Sequence, residues 1–133
     1  MTMNTSGAEL VEVESPTSFE ATVERILRAI DAAGLKLIAR LDHSAGAQAF
    51  GLELAPTVVL VYGHPRGGTP IMQQHPNAAL DLPLRVLVRA TSPHRTVIAF
   101  HPIVDVLAQL GVPADLSLPL ERSQNLVREA ALG

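Results

Sequence analysis

Residues 57–62 of the chain are Thr-Val-Val-Leu-Val-Tyr, a continuous apolar run rich in β-branched side chains. Such a run is typical of a β-strand covered on both faces, because a half-buried strand alternates apolar and polar residues. We therefore expect a central strand here. Residues 63–70 (GHPRGGTP) follow it and are dense in glycine and proline, which predicts a turn and then a short helix that begins at Pro70 with Thr69 as its cap.

Further strands are predicted on both sides of this segment. Residues 84–89 (LRVLVR) and 96–100 (TVIAF) predict two strands, and residues 91–95 between them predict a hairpin loop. Val11 and Val13 alternate with acidic residues, as in a half-buried strand.

The segment 35–42 has the period-two pattern of a strand with one buried face. The predicted buried face contains Leu35, Leu37, Ala39 and Leu41, and the other face contains Lys36, Ile38, Arg40 and Asp42. A short helical turn is expected after it, in residues 43–50.

Three helices complete the prediction. Residues 17–20 (TSFE) match a capping box with Thr17 as the N-cap, and Gly34 suits the left-handed end of the helix that follows. Residues 102–110 and 118–132 have helical spacing.

The strands are grouped between helices without regular alternation, which predicts an α+β fold. We expect a mostly antiparallel sheet with helices packed on one face and an extra C-terminal helix. Residues 9–133 are predicted to form a single domain, and residues 1–8, which lack periodicity, a flexible N-terminus.

Composition excludes several classes of function. Ten Lys and Arg against thirteen Asp and Glu give a net charge of −3, which disfavours binding to nucleic acid. The chain has no cysteine, and neither a signal peptide nor an apolar run long enough for a membrane span is indicated, so we expect a cytoplasmic protein. Hydrophobic residues reach 47%, more than one small core needs, which favours a homodimer.

The glycine-rich segment is the candidate anion site. Backbone N–H groups at a turn and at a helix start can hold a small anion, and Arg66 adds a positive charge. The ligand-binding candidates are His64, Arg66, Gly67, Gly68, Thr69 and Arg85. The alternative is a tight turn followed by a capped helix, with no ligand.

Acid–base chemistry has two candidate residues, His43 and Asp81, with Arg85 as an electrostatic partner. Asp81 is equally well explained as a turn residue that bonds its own backbone. Metal ligands would have to come from distant segments, with the candidates His43, His64, His75, Asp42 and Asp81. Because no local metal-binding spacing is present, we expect no metal and no cofactor.

Four segments resemble the domain of unknown function 302 family. They are residues 42–47 (DHSAGA), 56–65 (PTVVLVYGHP), 68–72 (GTPIM) and 79–88 (ALDLPLRVLV). The resemblance implies a strand-helix-four strands-helix topology similar to the TATA-binding-protein-like fold, often dimeric, and it implies no activity. His64 and His101 stand where the family usually has asparagine.

Three functions are therefore considered. The first is a homodimeric domain that binds or senses a small ligand, in a pocket built from residues 63–69, His43 and Asp81. The second is a small-molecule enzyme that uses the same groups. The third is a protein interaction module without a ligand.

Overall fold

The computed structural model describes residues 9–133, and the flexible N-terminus predicted for residues 1–8 lies outside that part. The elements in chain order are β1 (Val11–Ser15), α1 (Phe19–Ala32), β2 (Lys36–Asp42), α2 (His43–Ala49), β3 (Thr57–Gly63), α3 (Pro65–Gln74), a 3-10 helix (Pro76–Asp81), β4 (Leu84–Ser92), β5 (Arg95–Phe100), α4 (Ile103–Ala108) and α5 (Ala114–Leu132). Helices α2 and α3 thus interrupt the four consecutive strands that the resemblance implies.

The five strands form one sheet in the order β1-β5-β4-β3-β2, and every neighbouring pair is antiparallel. This confirms the predicted α+β class. β3 is an interior strand, as its composition predicts. Val58, Leu60 and Tyr62 are at most 1% exposed on one face, and Val61 is 9% exposed on the other.

The hydrophobic core lies between one face of the sheet and the helices. Leu84, Val86 and Val88 alternate along β4 and are all buried, so they share that face. α1 and α5 supply the side chains that pack with them, namely Val23, Ile26 and Ile30 from α1 and Leu120, Val127 and Ala131 from α5. No helix within residues 9–133 combines the length and apolar character that crossing a membrane requires.

α1 begins one residue later than the capping-box pattern predicts. Ser18 is the N-cap, and its hydroxyl oxygen accepts a hydrogen bond from the Ala21 N–H at 3.2 Å. The hydroxyl of Thr17, the predicted N-cap, instead lies 3.1 Å from those of Ser15 and Thr22. Thr17 and Ser18 both carry a hydroxyl that suits an N-cap. The Thr17 hydroxyl contacts β1 and the first turn of α1, so Ser18 caps the helix.

The buried face predicted for residues 35–42 is wrong. β2 is an edge strand, and Leu37 and Leu41 are 42% and 46% exposed. The register shifts between Leu37 and Ala39, and Ile38 at this irregularity is 56% exposed. The irregularity also places Leu37, opposite Tyr62, and Leu41, opposite Val59, on different faces of the sheet, so the period-two pattern of the sequence is not kept along the strand.

The helix after β3 begins at Pro65 rather than at Pro70. His64 is its N-cap, and the His64 Nδ1 accepts a hydrogen bond from the Arg66 N–H at 3.0 Å. Pro70 lies inside the helix, where it lacks the N–H that would bond the carbonyl four residues before it. Gly67 and Gly68 are consequently helical residues and do not form the predicted loop.

Candidate functional site

Three cavities lie side by side where β3 ends and β4 begins. We name each by one of its residues: the Arg85 cavity of about 330 Å³, the Arg66 cavity of about 360 Å³ and the Met72 cavity of about 230 Å³. Leu84 lines all three, and Pro83 lines both the Arg85 and the Met72 cavity. The Arg85 and Met72 cavities therefore adjoin.

Three ionisable side chains line the Arg85 cavity, those of Asp81, Arg85 and His101. Arg85 is the second residue of β4, and Asp81 ends the 3-10 helix before that strand. The antiparallel register that pairs Leu87 with Ala99 brings His101 opposite Arg85, just beyond the end of β5. A carboxylate, a guanidinium and an imidazole thus meet at one cavity.

The positive charge of Arg85 is not paired with a carboxylate of the protein. Across residues 9–133 its side chain makes no ion pair, whereas Arg89 and Arg95 pair with Glu12 and Glu14 in the same sheet. The Arg85 side chain is exposed. A guanidinium carries five N–H donors, which are therefore available to a ligand in this cavity.

A buried glutamine holds the His101 segment in place. Gln124 of α5 is 4% exposed and lines the Arg85 cavity. Its Nε2 donates a hydrogen bond to the His101 main-chain oxygen at 3.0 Å, and its Oε1 accepts one from the Ile103 N–H at 2.9 Å. The amide thereby fixes the turn between β5 and α4 that positions the imidazole.

The Arg66 cavity does not contain the predicted cradle of free N–H groups. His64 engages two of them, because its Nδ1 accepts from the Arg66 N–H and its carbonyl accepts from the Gly67 N–H at 3.0 Å. Position 67 needs a glycine for packing and not for anion binding, because a Cβ there would lie 3.0 Å from the Leu120 Cδ2 of α5. This glycine allows α5 to pack against α3.

The Met72 cavity is mostly apolar and also borders α3. His64, Gly68 and Thr69, three of the predicted ligand-binding residues, line it together with Met72. A Cβ at Gly68 would meet the Leu82 Cδ1 at 3.5 Å and the Met72 Cε at 3.6 Å, which are ordinary contact distances.

His43 lies at the opposite end of the sheet from the three cavities. It follows Asp42, which pairs with Val58 on β3, whereas the cavities surround Gly63 at the other end of that strand, about 17 Å away at the rise of a β-strand. The prediction of one pocket that joins His43 to Asp81 is therefore wrong. His43 follows β2, which ends beside the start of β3. Asp81 precedes β4, which begins beside the end of β3.

The candidate metal ligands are dispersed as well. No three His, Cys, Asp or Glu side chains of residues 9–133 lie close enough to hold a metal ion together. The Asp42 carboxylate accepts hydrogen bonds from the Ala45 N–H at 2.9 Å and from the Ser44 hydroxyl at 2.7 Å, as the N-cap of α2. These two bonds lower the pKa of Asp42 below its ordinary value.

The structure thus places Asp81 and all six predicted ligand-binding residues in the walls of three adjacent cavities, but not His43, Asp42 or His75. Two further residues, His101 and Gln124, line the Arg85 cavity and were not among the predicted site residues. His101 was noted only as a departure from the family pattern. Gln124 has a signal in the sequence, because it is a polar residue on a helical face whose other buried members are Ser117, Leu120, Val127 and Ala131.

A family model described as a domain of unknown function, DUF302, matches residues 11–128. The chain belongs to the DUF302 family. The crystal structure of an uncharacterised conserved DUF302 protein from Bacillus stearothermophilus matches with a TM-score of 0.82, over 92% of this chain and 97% of that one, at 16% sequence identity. The likeness at this identity shows the shared fold alone.

Curated relatives are found in Brucella. Over 78 residues, which are 59% of the chain, this DUF302 protein is 42% identical to "Fluoride-specific ion channel FluC 1" of Brucella suis biovar 1 and to the protein of the same name of Brucella abortus biovar 1. The matched region covers 31% and 29% of those proteins. The chain therefore spans about a third of the length of the curated relatives that it matches.

Proposed function

We propose that this DUF302 domain binds or senses a small anionic ligand in the Arg85 cavity. The observation that supports it best is the unpaired Arg85 side chain at the wall of a cavity of about 330 Å³, beside His101 and Asp81. Pockets for small molecules begin at roughly this size, about 300 Å³, and combine apolar walls with a few convergent polar groups.

Each polar group has a distinct part in this proposal. Arg85 contacts a carboxylate or phosphate oxygen through paired N–H groups, and His101 donates a further hydrogen bond from the neighbouring position. Asp81 accepts a hydrogen bond from a hydroxyl or amino group of the ligand. Gln124 acts through His101, as a positioning residue.

The names of the curated relatives suggest one anion to include in any test. The Brucella proteins are called fluoride-specific ion channels, and the part similar to this chain is less than a third of each. A domain with an anion site is compatible with a place beside an anion channel. Fluoride therefore joins acetate and phosphate among the ligands to be measured.

Isothermal titration with these three anions tests the proposal, using wild-type protein, Arg85→Ala and the control Arg28→Ala. Arg28 is an exposed arginine whose partner, Glu24, lies on the same helix. Losing a hydrogen bond to a charged group is worth about 1.5–3 kcal/mol, so Arg85→Ala should weaken binding by roughly tenfold or more. Arg28→Ala should bind like the wild type. Equal affinities for all three proteins would contradict the proposal.

We also propose that a second copy of the chain covers the β2 edge of the sheet. Six large apolar side chains within residues 37–54 are 42–85% exposed, namely Leu37, Ile38, Leu41, Phe50, Leu52 and Leu54. Such a concentration marks an interaction surface. Lys36 and Arg40 accompany Asp42 and Glu53 in this segment, so both signs of charge are present for a two-fold, self-complementary contact.

Light scattering over a concentration series tests the dimer. Phe50 is the most exposed of the six side chains at 85%, and Phe50→Asp should convert a dimer to a monomer. Leu132→Asp, at a 48% exposed position of α5, should leave the dimer intact. A monomer at every concentration of wild-type protein would contradict this assignment. A cytoplasmic location stays a prediction from the sequence.

An enzyme that uses the same cavity is the second candidate. A carboxylate and an imidazole at one cavity wall are a pair that can move a proton to and from a bound molecule. Asp81→Asn would then abolish turnover in a metabolite screen while ligand binding persists. The third candidate is a domain that binds another protein and no small ligand. In that case neither the wild type nor Asp81→Asn should bind any small molecule.

A further inference from the structure

We infer that the ligand of the Arg85 cavity is an amphipathic acid, whose apolar chain enters the adjoining Met72 cavity. This inference rests on the proposed function, because Arg85 supplies the contact for the charged end. The ligand is then a carboxylic acid with an aliphatic chain, and the site has a second part beyond Pro83 and Leu84.

The two cavities share part of their walls. Pro83 and Leu84 line both of them, at the point where the chain enters β4. Pro83 and Leu84 are therefore the residues along which a ligand held by Arg85 would reach the Met72 cavity. The Arg85 cavity itself continues the apolar surface with Leu80, Ile103 and Val106.

The Met72 cavity has the chemistry of a site for an apolar chain. No Asp, Glu, Lys or Arg of the described residues lines it. Its apolar side chains come from β2, α3, α5 and the segment before β4, namely Ile38, Met72, Leu82, Pro83, Leu84 and Leu120. A carboxylate there would meet no Lys or Arg side chain, whereas a methylene chain would be stabilised by burial.

Gly68 keeps this cavity open. It is a residue of α3 on the cavity wall, and a Cβ there would already be in ordinary contact with Leu82 and Met72. A larger side chain at this position would extend into the space between them. The glycine therefore has a role in the site that differs from that of Gly67, which makes room for α5.

A chain-length series on the wild-type protein tests the inference directly. Acetate, butyrate, hexanoate and octanoate carry the same charged group, and their dissociation constants can be measured by titration followed by NMR. Burying a methylene group should tighten binding by about fourfold, so affinity should rise along the series until the cavity is filled. The amide signals of Gly68 and Met72 should shift with octanoate and not with acetate.

The variant Gly68→Val fills the Met72 cavity and should remove the dependence on chain length while acetate still binds. Gly46→Val is the matched control, because Gly46 is also a helical glycine and a Cβ there would meet nothing within 4 Å. That variant should keep the dependence. If Gly68→Val does not fold, the series on the wild-type protein decides alone.

The outcomes separate the two claims. Equal affinities along the series, with shifts confined to the surroundings of Arg85, would overturn the amphipathic ligand and leave the anion site standing. Absence of binding by every carboxylate, short or long, would overturn both. Rising affinity that survives Gly68→Val unchanged would place the chain elsewhere and would also overturn the inference.

Discussion

The Gln124 Nε2 lies 3.0 Å from the main-chain oxygen of His101 and donates a hydrogen bond to it, across 23 positions of the sequence. The same amide accepts a hydrogen bond from the Ile103 N–H. α5 is thereby tied to the end of β5, and a residue of the last helix holds the main chain of His101, whose side chain lines the Arg85 cavity.

Replacing Gln124 with leucine should destabilise the protein and disturb the site together. The change leaves the buried Ile103 N–H without its acceptor, a loss worth about 1–3 kcal/mol. Urea denaturation measures the stability, and the His101 ring signals in NMR report the site. Asn125→Leu, at the exposed neighbouring position, is the control and should alter neither. Unchanged His101 signals in Gln124→Leu would contradict its positioning role.

Ser18→Ala should lower the free energy of unfolding by about 0.5–2 kcal/mol, because it removes the acceptor for the Ala21 N–H at the start of α1. Ser123→Ala within α5, where the Ser123 hydroxyl donates to the Pro119 carbonyl at 3.3 Å and caps no helix, serves as a chemically matched control that leaves α1 unchanged. Chemical denaturation provides the comparison. A midpoint equal to that of the wild type would show that Ser18 does not cap the helix.

Tyr62→Phe should stabilise the protein by about 1 kcal/mol, because within the described residues the buried Tyr62 hydroxyl has no hydrogen-bond partner. Burial also raises the pKa of this phenol above its ordinary value of 10.0. Because its pKa is raised, the Tyr62 phenol holds its proton more tightly in the folded state than in the unfolded chain. The corresponding stability is present below the ordinary value of 10.0 and is lost as the pH rises above it. Tyr62 is the sole tyrosine of the sequence, and its ultraviolet absorbance can follow this ionisation. A less stable Tyr62→Phe protein would show that the hydroxyl has a partner.

Acid should remove the stability that two carboxylates contribute. Hydrogen bonds from the Ala45 N–H and Ser44 lower the pKa of Asp42, and the Arg95 guanidinium lowers that of Glu14. A lowered pKa gives stability that is present above the ordinary values of 3.8 and 4.5 and is lost as the pH falls through the lowered ones. The double variant Asp42→Asn/Glu14→Gln should show a weaker dependence of the denaturation midpoint on pH in this range. An identical dependence would contradict the assignment.

Local patterns predicted most of the fold because they depend on neighbouring residues. The run at residues 57–62 identified an interior strand, and Gly34, with φ of +75°, ends α1 as expected. The errors in residues 63–70 have one local and one tertiary cause. His64 caps α3 through its ring nitrogen, and α5 packs on Gly67, so a segment rich in turn residues became helical.

The candidate site was predictable only in part. Asp81 and Arg85 lie close in sequence, and their common location follows from a single turn into β4. The pairing of β4 with β5 brings His101 beside them, and the packing of α5 brings Gln124 to the same cavity. Neither contact follows from a local sequence pattern. His43 was assigned to the same pocket because the sequence did not show which end of the sheet it occupies.

The most direct test of the central claim is a two-dimensional NMR titration of the wild-type protein with acetate at low ionic strength, repeated with Arg85→Ala. We expect saturable shifts of the amide signals of Arg85, His101 and Ile103 in the wild type and none in Arg85→Ala, while the signals of His43 and Ser44 at the opposite end of the sheet stay in place. Shifts of equal size in both proteins, or shifts confined to the His43 end, would contradict it.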